Sequence, residues 1–279
     1  MIDSKVGIIG GGNMARAIAA GLLRGGMHAA DLLIAEPRVT QCELLREELY
    51  GAQVTRDNAT VARVADILLF AVKPQILQGV CRDLAGEVQK RKMLIVSIAA
   101  GSRTADIADW LGGNLEVVRV MPNQPALIDQ GISALYANDQ TGQNGREQAG
   151  KIMSAVGQVV WVRRETEMDA VTAVSGTGPA YFYLLIEIMI ESAEALGLDP
   201  GIARTLVLQT ARGATSLAAA TDESMASLIE RVRSPGGTTK AAFDVLEPGG
   251  VRAIFAEAID AAHKRSVELS LEAKSAVAD

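Results

Sequence analysis

Over roughly the first 160 residues, short apolar runs alternate with stretches of helical period, and this alternation constrains the fold more than any other feature. "KVGIIG" (5–10) reads as a strand, and residues 13–25 as a helix. "DLLIAE" (31–36) is a second strand, with a helix over 38–49. "ADILLFAV" (65–72) is apolar throughout, as a strand inside a parallel sheet must be. A helix from Pro74, the strand "MLIVSIA" (93–99), a helix near 103–111 and the strand "EVVRVM" (116–121) follow. "GISALYA" (131–137) and "GQVVWV" (157–162) are strands around a helix at 141–155. Such an order buries both faces of a mostly parallel sheet, so the expected fold class is α/β and doubly wound.

After Trp161 the alternation stops. Residues 167–174, 179–196, 200–219, 224–232, 239–246 and 249–272 all read as helices. The expected division is a dinucleotide-binding domain over 1–164 and a helical domain over 165–279, with the tail "EAKSAVAD" fraying.

Composition removes several classes. A net charge of −6 opposes broad binding to a phosphate backbone, so no nucleic-acid partner is expected. The two cysteines, Cys42 and Cys81, have no metal or redox spacing, which fits a reducing cytoplasm. No signal peptide precedes the first strand. The long run "YFYLLIEIMIESAEAL" carries Glu187, Glu191 and Glu194, so it is read as a helix buried between subunits or domains, with no membrane partner. Only His28 and His263 occur, neither beside a carboxylate in sequence. This disfavours a histidine-base dehydrogenase, a Ser-His-Asp hydrolase and an H-x-x-x-H zinc site.

"GIIGGGNMARAI" places Gly10 and Gly12 after the first strand, with Ala15 where a third glycine often stands. Glycines there permit a tight turn and a close approach to a pyrophosphate resting on the next helix. At the end of the second strand, Glu36 can accept from a ribose hydroxyl, favouring NADH, and Arg38 can pair with a 2′-phosphate, favouring NADPH. Lys73 and Pro74 end the strand at 65–72, where ligands sit in open α/β sheets. Asn123 stands between prolines in "MPNQPAL"; its amide can meet a nicotinamide or close an Asx turn.

Two further glycine turns lie in the helical half. Ser175, Gly176, Thr177 and Gly178 precede a long helix from Pro179. "SPGGTT" places Ser234, Gly236, Gly237, Thr238 and Thr239 before another, with Thr238 available as its cap. Each turn offers backbone N–H groups and hydroxyls at a positive helix end, and neither has the Lys-Ser/Thr of a P-loop. The expected guest is a small carboxylate or a polar edge.

Together, "GGGNMA", "AVKP", "SIAAG", "MPN", "DAVTAVSGTGPAYF" and "SPGGTTKAAFDVLE" resemble the pyrroline-5-carboxylate reductase family, along essentially the whole chain. The resemblance implies an N-terminal Rossmann-like doubly wound sheet followed by an all-helical C-terminal dimerisation domain. It implies reduction of the C=N bond of Δ1-pyrroline-5-carboxylate to L-proline by NADPH, with NADH as the alternative, in a homodimer or a larger assembly of dimers. Under the resemblance, Gly10, Gly12, Asn13 and Met14 line the pyrophosphate, and Asn58 lies on the adenosine side. Ala71, Val72, Lys73 and Ala100 line the cofactor. Ser234, Gly236, Gly237, Thr238 and Thr239 form the substrate-carboxylate loop, with Thr239 the candidate catalytic hydroxyl at the imine nitrogen. Ser175 is a substrate-side candidate, as is Asp222, for which Glu223 is the alternative. The sequence departs from the family pattern at Gln124 and Thr177. A 3-hydroxyacid dehydrogenase would place a lysine after "GTGPAYF", where this chain has none. A dinucleotide-binding regulator without catalysis would have little use for the intact "SPGGTT" turn.

Overall fold

A computed structural model of the protein describes residues 4–91 and 93–275. The sheet has eight strands: β1 (Val6–Ile9), β2 (Leu32–Ala35), β3 (Gln53–Thr55), β4 (Ile67–Phe70), β5 (Leu94–Ser97), β6 (Val117–Met121), β7 (Gly131–Ala137) and β8 (Gly157–Trp161). Their spatial order is β3-β2-β1-β4-β5-β6-β7-β8. All pairs are parallel except β6–β7, where Val118 faces Ala137 in antiparallel register. Between the strands run α1 (Asn13–Arg24), α2 (Val39–Glu48), α3 (Asn58–Val64), α4 (Pro74–Gln89), α5 (Thr104–Trp110) and α6 (Gln143–Ser154).

Burial explains why the central strands are so legible in the sequence. Every residue of β1, β2 and β4 is buried, because helices cover both faces of the sheet. Ile8, Ile18, Leu22, Leu45 and Val96 fill one core layer. Ile9, Leu68, Phe70, Leu77, Cys81 and Val88 fill the other. Leu77, Cys81, Leu84 and Val88 are four or three residues apart, the inward stripe of α4.

One strand and one α-helix, β3 and α3, are absent from the sequence expectation. β3 is a three-residue edge strand whose side chains are exposed or half-buried, so it has no apolar run to announce it. α3 is only seven residues long and is capped by Asp57, whose carboxylate accepts from the N–H groups of Ala59 (3.0 Å) and Thr60 (3.2 Å).

The β7–β8 pair depends on Gly157, which has φ +146°. A Cβ at this position would stand 1.9 Å from the Gly131 carbonyl oxygen. Gly157→Ala should therefore cost about 2–4 kcal/mol. A lowered melting temperature checks this, and an unchanged one would contradict the pairing of Gly131 with Gly157.

The helical half comprises α7 (Glu167–Val171), a π-helical turn (Thr172–Gly176), α8 (Gly178–Ala195), α9 (Pro200–Ala219), α10 (Met225–Val232), α11 (Thr238–Leu246) and α12 (Val251–Ser275). The chain forms two compact units, residues 1–177 with 262–279, and residues 178–261. The first therefore retains α7, the π turn and the end of α12. Of the tail expected to fray, the part through Ser275 is helical; residues 276–279 lie outside the described residues.

In the second unit, α8 packs on α9. Asp199 caps α9, accepting from Gly201 N (2.9 Å) and Ile202 N (3.2 Å), with Pro200 in the first turn. Phe182, Leu184, Ile188, Met189, Ile202 and Leu206 are exposed on this unit. Glu167–Ala195 is long and apolar enough to cross a membrane by length and composition alone (mean hydropathy 1.3). It also includes Glu187, Glu191 and Glu194, charges that are expensive in lipid.

Candidate active site

After β1 the chain turns through Gly10, Gly11 and Gly12 into α1. Gly10 has φ +102°, and a Cβ there would meet the Ala71 carbonyl oxygen at 2.7 Å and Val72 Cγ1 at 3.1 Å. The turn is thus held directly against the end of β4, with Gly10 N donating to Ala35 O (2.8 Å) and Ala71 N to Ile9 O (2.8 Å). A Cβ on Gly12 would meet nothing within 4 Å, so this side of the turn is open to a ligand. Gly12 is the N-cap of α1, no side chain caps the helix, and its first turn carries no acidic residue. Asn13 is exposed and Met14 half-buried at this start. The residues present fit a pyrophosphate: close backbone, open space and a positive helix end.

Glu36, which the sequence offers as a ribose acceptor, is buried (3% exposed). Its Oε2 accepts from Gly11 N (2.9 Å), and its Oε1 accepts from Arg38 N (3.1 Å) and Arg38 Nε (2.8 Å). Gln41 Nε2 donates to Gly11 O (2.7 Å). Glu36 and Gln41 therefore clamp Gly11 from both sides, a role that nothing at Gln41 in the sequence signals. Desolvation would raise the pKa of Glu36, but the hydrogen bonds from Arg38 and Gly11 and the Arg38 charge hold it below the ordinary value. A depressed carboxylate contributes stability above its unfolded pKa and loses it as pH falls through the folded value. Glu36→Gln should therefore flatten the acid side of the melting-temperature profile; an unaltered profile would contradict the clamp. The Arg38 side chain remains 64% exposed.

The other first-unit candidates lie near the ends of neighbouring strands. Lys73 is exposed at the N-cap of α4, and Pro74 takes its first position. Pro74 and Ala100 line one cavity with Gln75, Trp110 and Leu269. Asn58 is half-buried at the first position of α3, three residues beyond the end of β3. Asn123 Oδ1 accepts from Ile132 N (2.9 Å), so its carbonyl oxygen ties the loop to β7.

Ser175 does not sit in an open glycine turn. It belongs to the π-helical turn that carries α7 onward, in which Thr177 N donates to Thr172 O (2.9 Å). Such turns recur at functional sites. A Cβ on Gly176 would meet Met121 Cε at 2.3 Å, so the turn packs closely on the Met121 side chain at the end of β6.

In the second unit, Gly236 has φ +69° and Gly237 is the N-cap of α11. A Cβ on Gly237 would stand 2.4 Å from Ser234 Oγ and 3.1 Å from Ser234 O. Gly237 N donates to Ser234 O (3.0 Å), closing the turn. The sequence offers Thr238 as the cap of this helix; it occupies the first helical position instead, and no side chain caps α11. The cause is that Gly237, which has no side chain, takes the N-cap. Thr239 is half-buried one residue further on. Arg233, which no sequence signal marks, braces the turn with ion pairs to Glu230 (3.4 Å) and Glu247 (3.9 Å) and its guanidinium over Phe243 (5.8 Å). Glu223 is committed to Ser227 Oγ (2.9 Å) and Arg231 Nη1 (2.5 Å), whereas Asp222 is exposed.

A doubly wound sheet with a phosphate-fitting glycine turn, followed by helices with a second, uncapped turn, defines a nicotinamide-dinucleotide oxidoreductase. Residues 165–269 match the family model for pyrroline-5-carboxylate reductase dimerisation, and residues 5–101 match that for coenzyme F420-dependent NADP oxidoreductases. The chain is 43% identical over 270 residues to pyrroline-5-carboxylate reductase of Pseudomonas aeruginosa, covering 97% of this chain and 98% of that protein. It is 41% identical to that of Synechocystis, covering 95% and 98%. Among solved structures, a pyrroline-5-carboxylate reductase from Coxiella burnetii superposes with TM-score 0.90 at 39% identity, covering 96% and 99%. The NADP-bound Plasmodium falciparum pyrroline carboxylate reductase gives 0.87 at 28% identity, covering 97% and 99%. The chain belongs to the pyrroline-5-carboxylate reductase family.

Proposed function

We propose that this chain reduces Δ1-pyrroline-5-carboxylate to L-proline and divides the work between its two glycine turns. NADPH, when bound, supplies the hydride that adds to the carbon of the C=N bond. Gly10, Gly12, Asn13 and Met14 hold the pyrophosphate at the start of α1, Asn58 serves the adenosine side, and Ala71, Val72, Lys73, Pro74, Ala100 and Asn123 face the rest of the cofactor. The observation that carries the substrate assignment is the uncapped start of α11 behind the Gly236–Gly237 turn. Backbone N–H groups there suit a single carboxylate. The Thr239 hydroxyl bonds the ring nitrogen. A cyclic imine that arrives protonated is already an electrophile, so its nitrogen is left as an amine after hydride addition and the site needs no histidine. What the protein supplies is orientation and charge complementarity. Ser175 and Asp222 are assigned to the substrate side, Asp222 over Glu223 because Glu223 is already engaged. The functional boundary is placed at 164/165, which the start of the dimerisation match at 165 supports.

The test is NADPH oxidation on addition of Δ1-pyrroline-5-carboxylate. Protein that binds NADPH yet shows no substrate-dependent oxidation would favour a non-catalytic regulator.

NADPH is assigned as the preferred cofactor. Glu36, the ribose acceptor NADH would use, is occupied by Gly11 and Arg38, while the guanidinium of Arg38 stays exposed for a 2′-phosphate. Arg38→Ala should lower kcat/KM for NADPH about tenfold to hundredfold, with a much smaller change for NADH. Equal losses with both cofactors would contradict the assignment.

The chain forms a homodimer through its helical domain, and the exposed Phe182, Leu184, Ile188 and Met189 are the face it covers. Light scattering reads whether dimers join further. A cytoplasmic setting is supported by cysteine usage: Cys42 and Cys81 have no metal or redox spacing, and both are buried. The net charge of −6 supports a protein without a nucleic-acid partner.

A further inference from the structure

Within the first unit, Arg119 on β6 is buried (3% exposed) with two carboxylates around its guanidinium. Its Nη1 lies 3.6 Å from Glu165 Oε1, and its Nη2 lies 3.9 Å from Asp169 Oδ1. Each carboxylate reaches onward. Glu165 accepts from Thr104 N (2.7 Å) and Thr104 Oγ1 (3.1 Å), fixing the start of α5 just beyond Ala100. Asp169 accepts from Ser266 Oγ (2.8 Å) and Ser270 Oγ (3.4 Å), fixing the end of α12. That end lies against Gly101, where a Cβ would meet the Leu269 carbonyl carbon at 3.3 Å. Asp169 is also on α7, which continues into the π turn bearing Ser175, and Gly176 of that turn packs on Met121, two residues beyond Arg119.

Stability alone is a poor reason for such a cluster. Desolvating a guanidinium and two carboxylates costs free energy that their attraction only partly returns, and apolar residues of similar volume often do as well or better. What an ionic cluster provides that apolar packing does not is direction. Around Arg119 the directions run to three segments that carry assigned site residues: Ala100, Asn123 and Ser175.

We propose that Arg119, through Glu165 and Asp169, is a positioning residue for the reduction, fixing the Ala100–Thr104 loop, the Met121–Asn123 segment and the Ser175 turn relative to one another. The proposal rests on the reductase reading. Neither Arg119 nor its two partners touches the reacting atoms. Their effect appears in how well the segments they hold align substrate with cofactor, and an error of about 1 Å in such alignment can cost about a hundredfold in rate.

The experiment compares wild type, Arg119→Met, Arg119→Lys and Asp169→Asn. It reads steady-state kinetics, NADPH Kd by fluorescence, thermal melting, and the deuterium isotope effect with labelled NADPH. Arg119→Met should lower kcat about tenfold to hundredfold, enlarge the isotope effect as hydride transfer becomes limiting, and leave NADPH Kd within about threefold. Arg119→Lys, which keeps the charge, should recover part of the loss. If Arg119→Met does not melt cooperatively, Asp169→Asn carries the test, with kcat down at least about fivefold at unchanged NADPH Kd. A folded variant with wild-type kcat and isotope effect would overturn the proposal. Wild-type protein that oxidises no NADPH with substrate would instead fail the reductase reading.

Discussion

Thr239→Ala should lower kcat with Δ1-pyrroline-5-carboxylate by about a hundredfold while leaving NADPH Kd nearly unchanged. Thr239 is half-buried at the second position of α11, in a different compact unit from the Gly10 turn. Its loss removes one hydroxyl and no backbone donor, so the carboxylate anchor at the helix start survives. Loss of an interaction made in the transition state falls on kcat and kcat/KM together; loss of a binding contact alone raises KM. Thr239→Ser should restore most of the turnover, because it returns the hydroxyl. Unchanged turnover in Thr239→Ala would remove the residue from the mechanism.

Gly10→Ala should have the opposite signature. At φ +102°, with the Ala71 carbonyl oxygen 2.7 Å from the added Cβ, the turn cannot hold its shape. The obstruction is backbone just past the end of β4, which has no rotamer to escape into. Strain of about 1–3 kcal/mol is expected in the folded state, seen as a lower melting temperature. The displaced turn should also raise the KM for NADPH by tenfold or more, on the order of 1.4 kcal/mol of lost binding. Substrate saturation should change far less. Wild-type affinity for NADPH in a Gly10→Ala protein would mean that the turn does not hold the pyrophosphate.

Much of the fold is legible in the sequence because burial writes itself into composition. β1, β2 and β4 are covered on both faces, so each appears as an unbroken apolar run. β3 and α3 are silent because an exposed three-residue edge strand and a seven-residue helix leave no periodic signal. The glycines at 10, 12, 236 and 237 stand out as clusters just before helices, and Gly10 and Gly236 have the positive φ that few other residues adopt. The partners that fix them do not stand out. Glu36 reads as a ribose acceptor, and only the fold brings its carboxylate to Gly11 N, 25 positions away in sequence. Arg119, Glu165, Asp169 and Ser266 look like ordinary polar residues until β6, α7 and α12 bring them together. The π-helical turn at Thr172–Gly176 escapes the sequence for a related reason: a Ser-Gly-Thr-Gly string reads as a break, whereas the helix absorbs it with one wider turn.

The most direct test of the central claim follows the hydride itself. NADPH deuterated at the transferring position is incubated with the protein and Δ1-pyrroline-5-carboxylate, and the product is analysed by mass spectrometry. The expected product is L-proline carrying one deuterium on the ring carbon that was doubly bonded to nitrogen, formed in step with NADPH oxidised. Protein that binds NADPH but yields no labelled proline would contradict the reductase assignment.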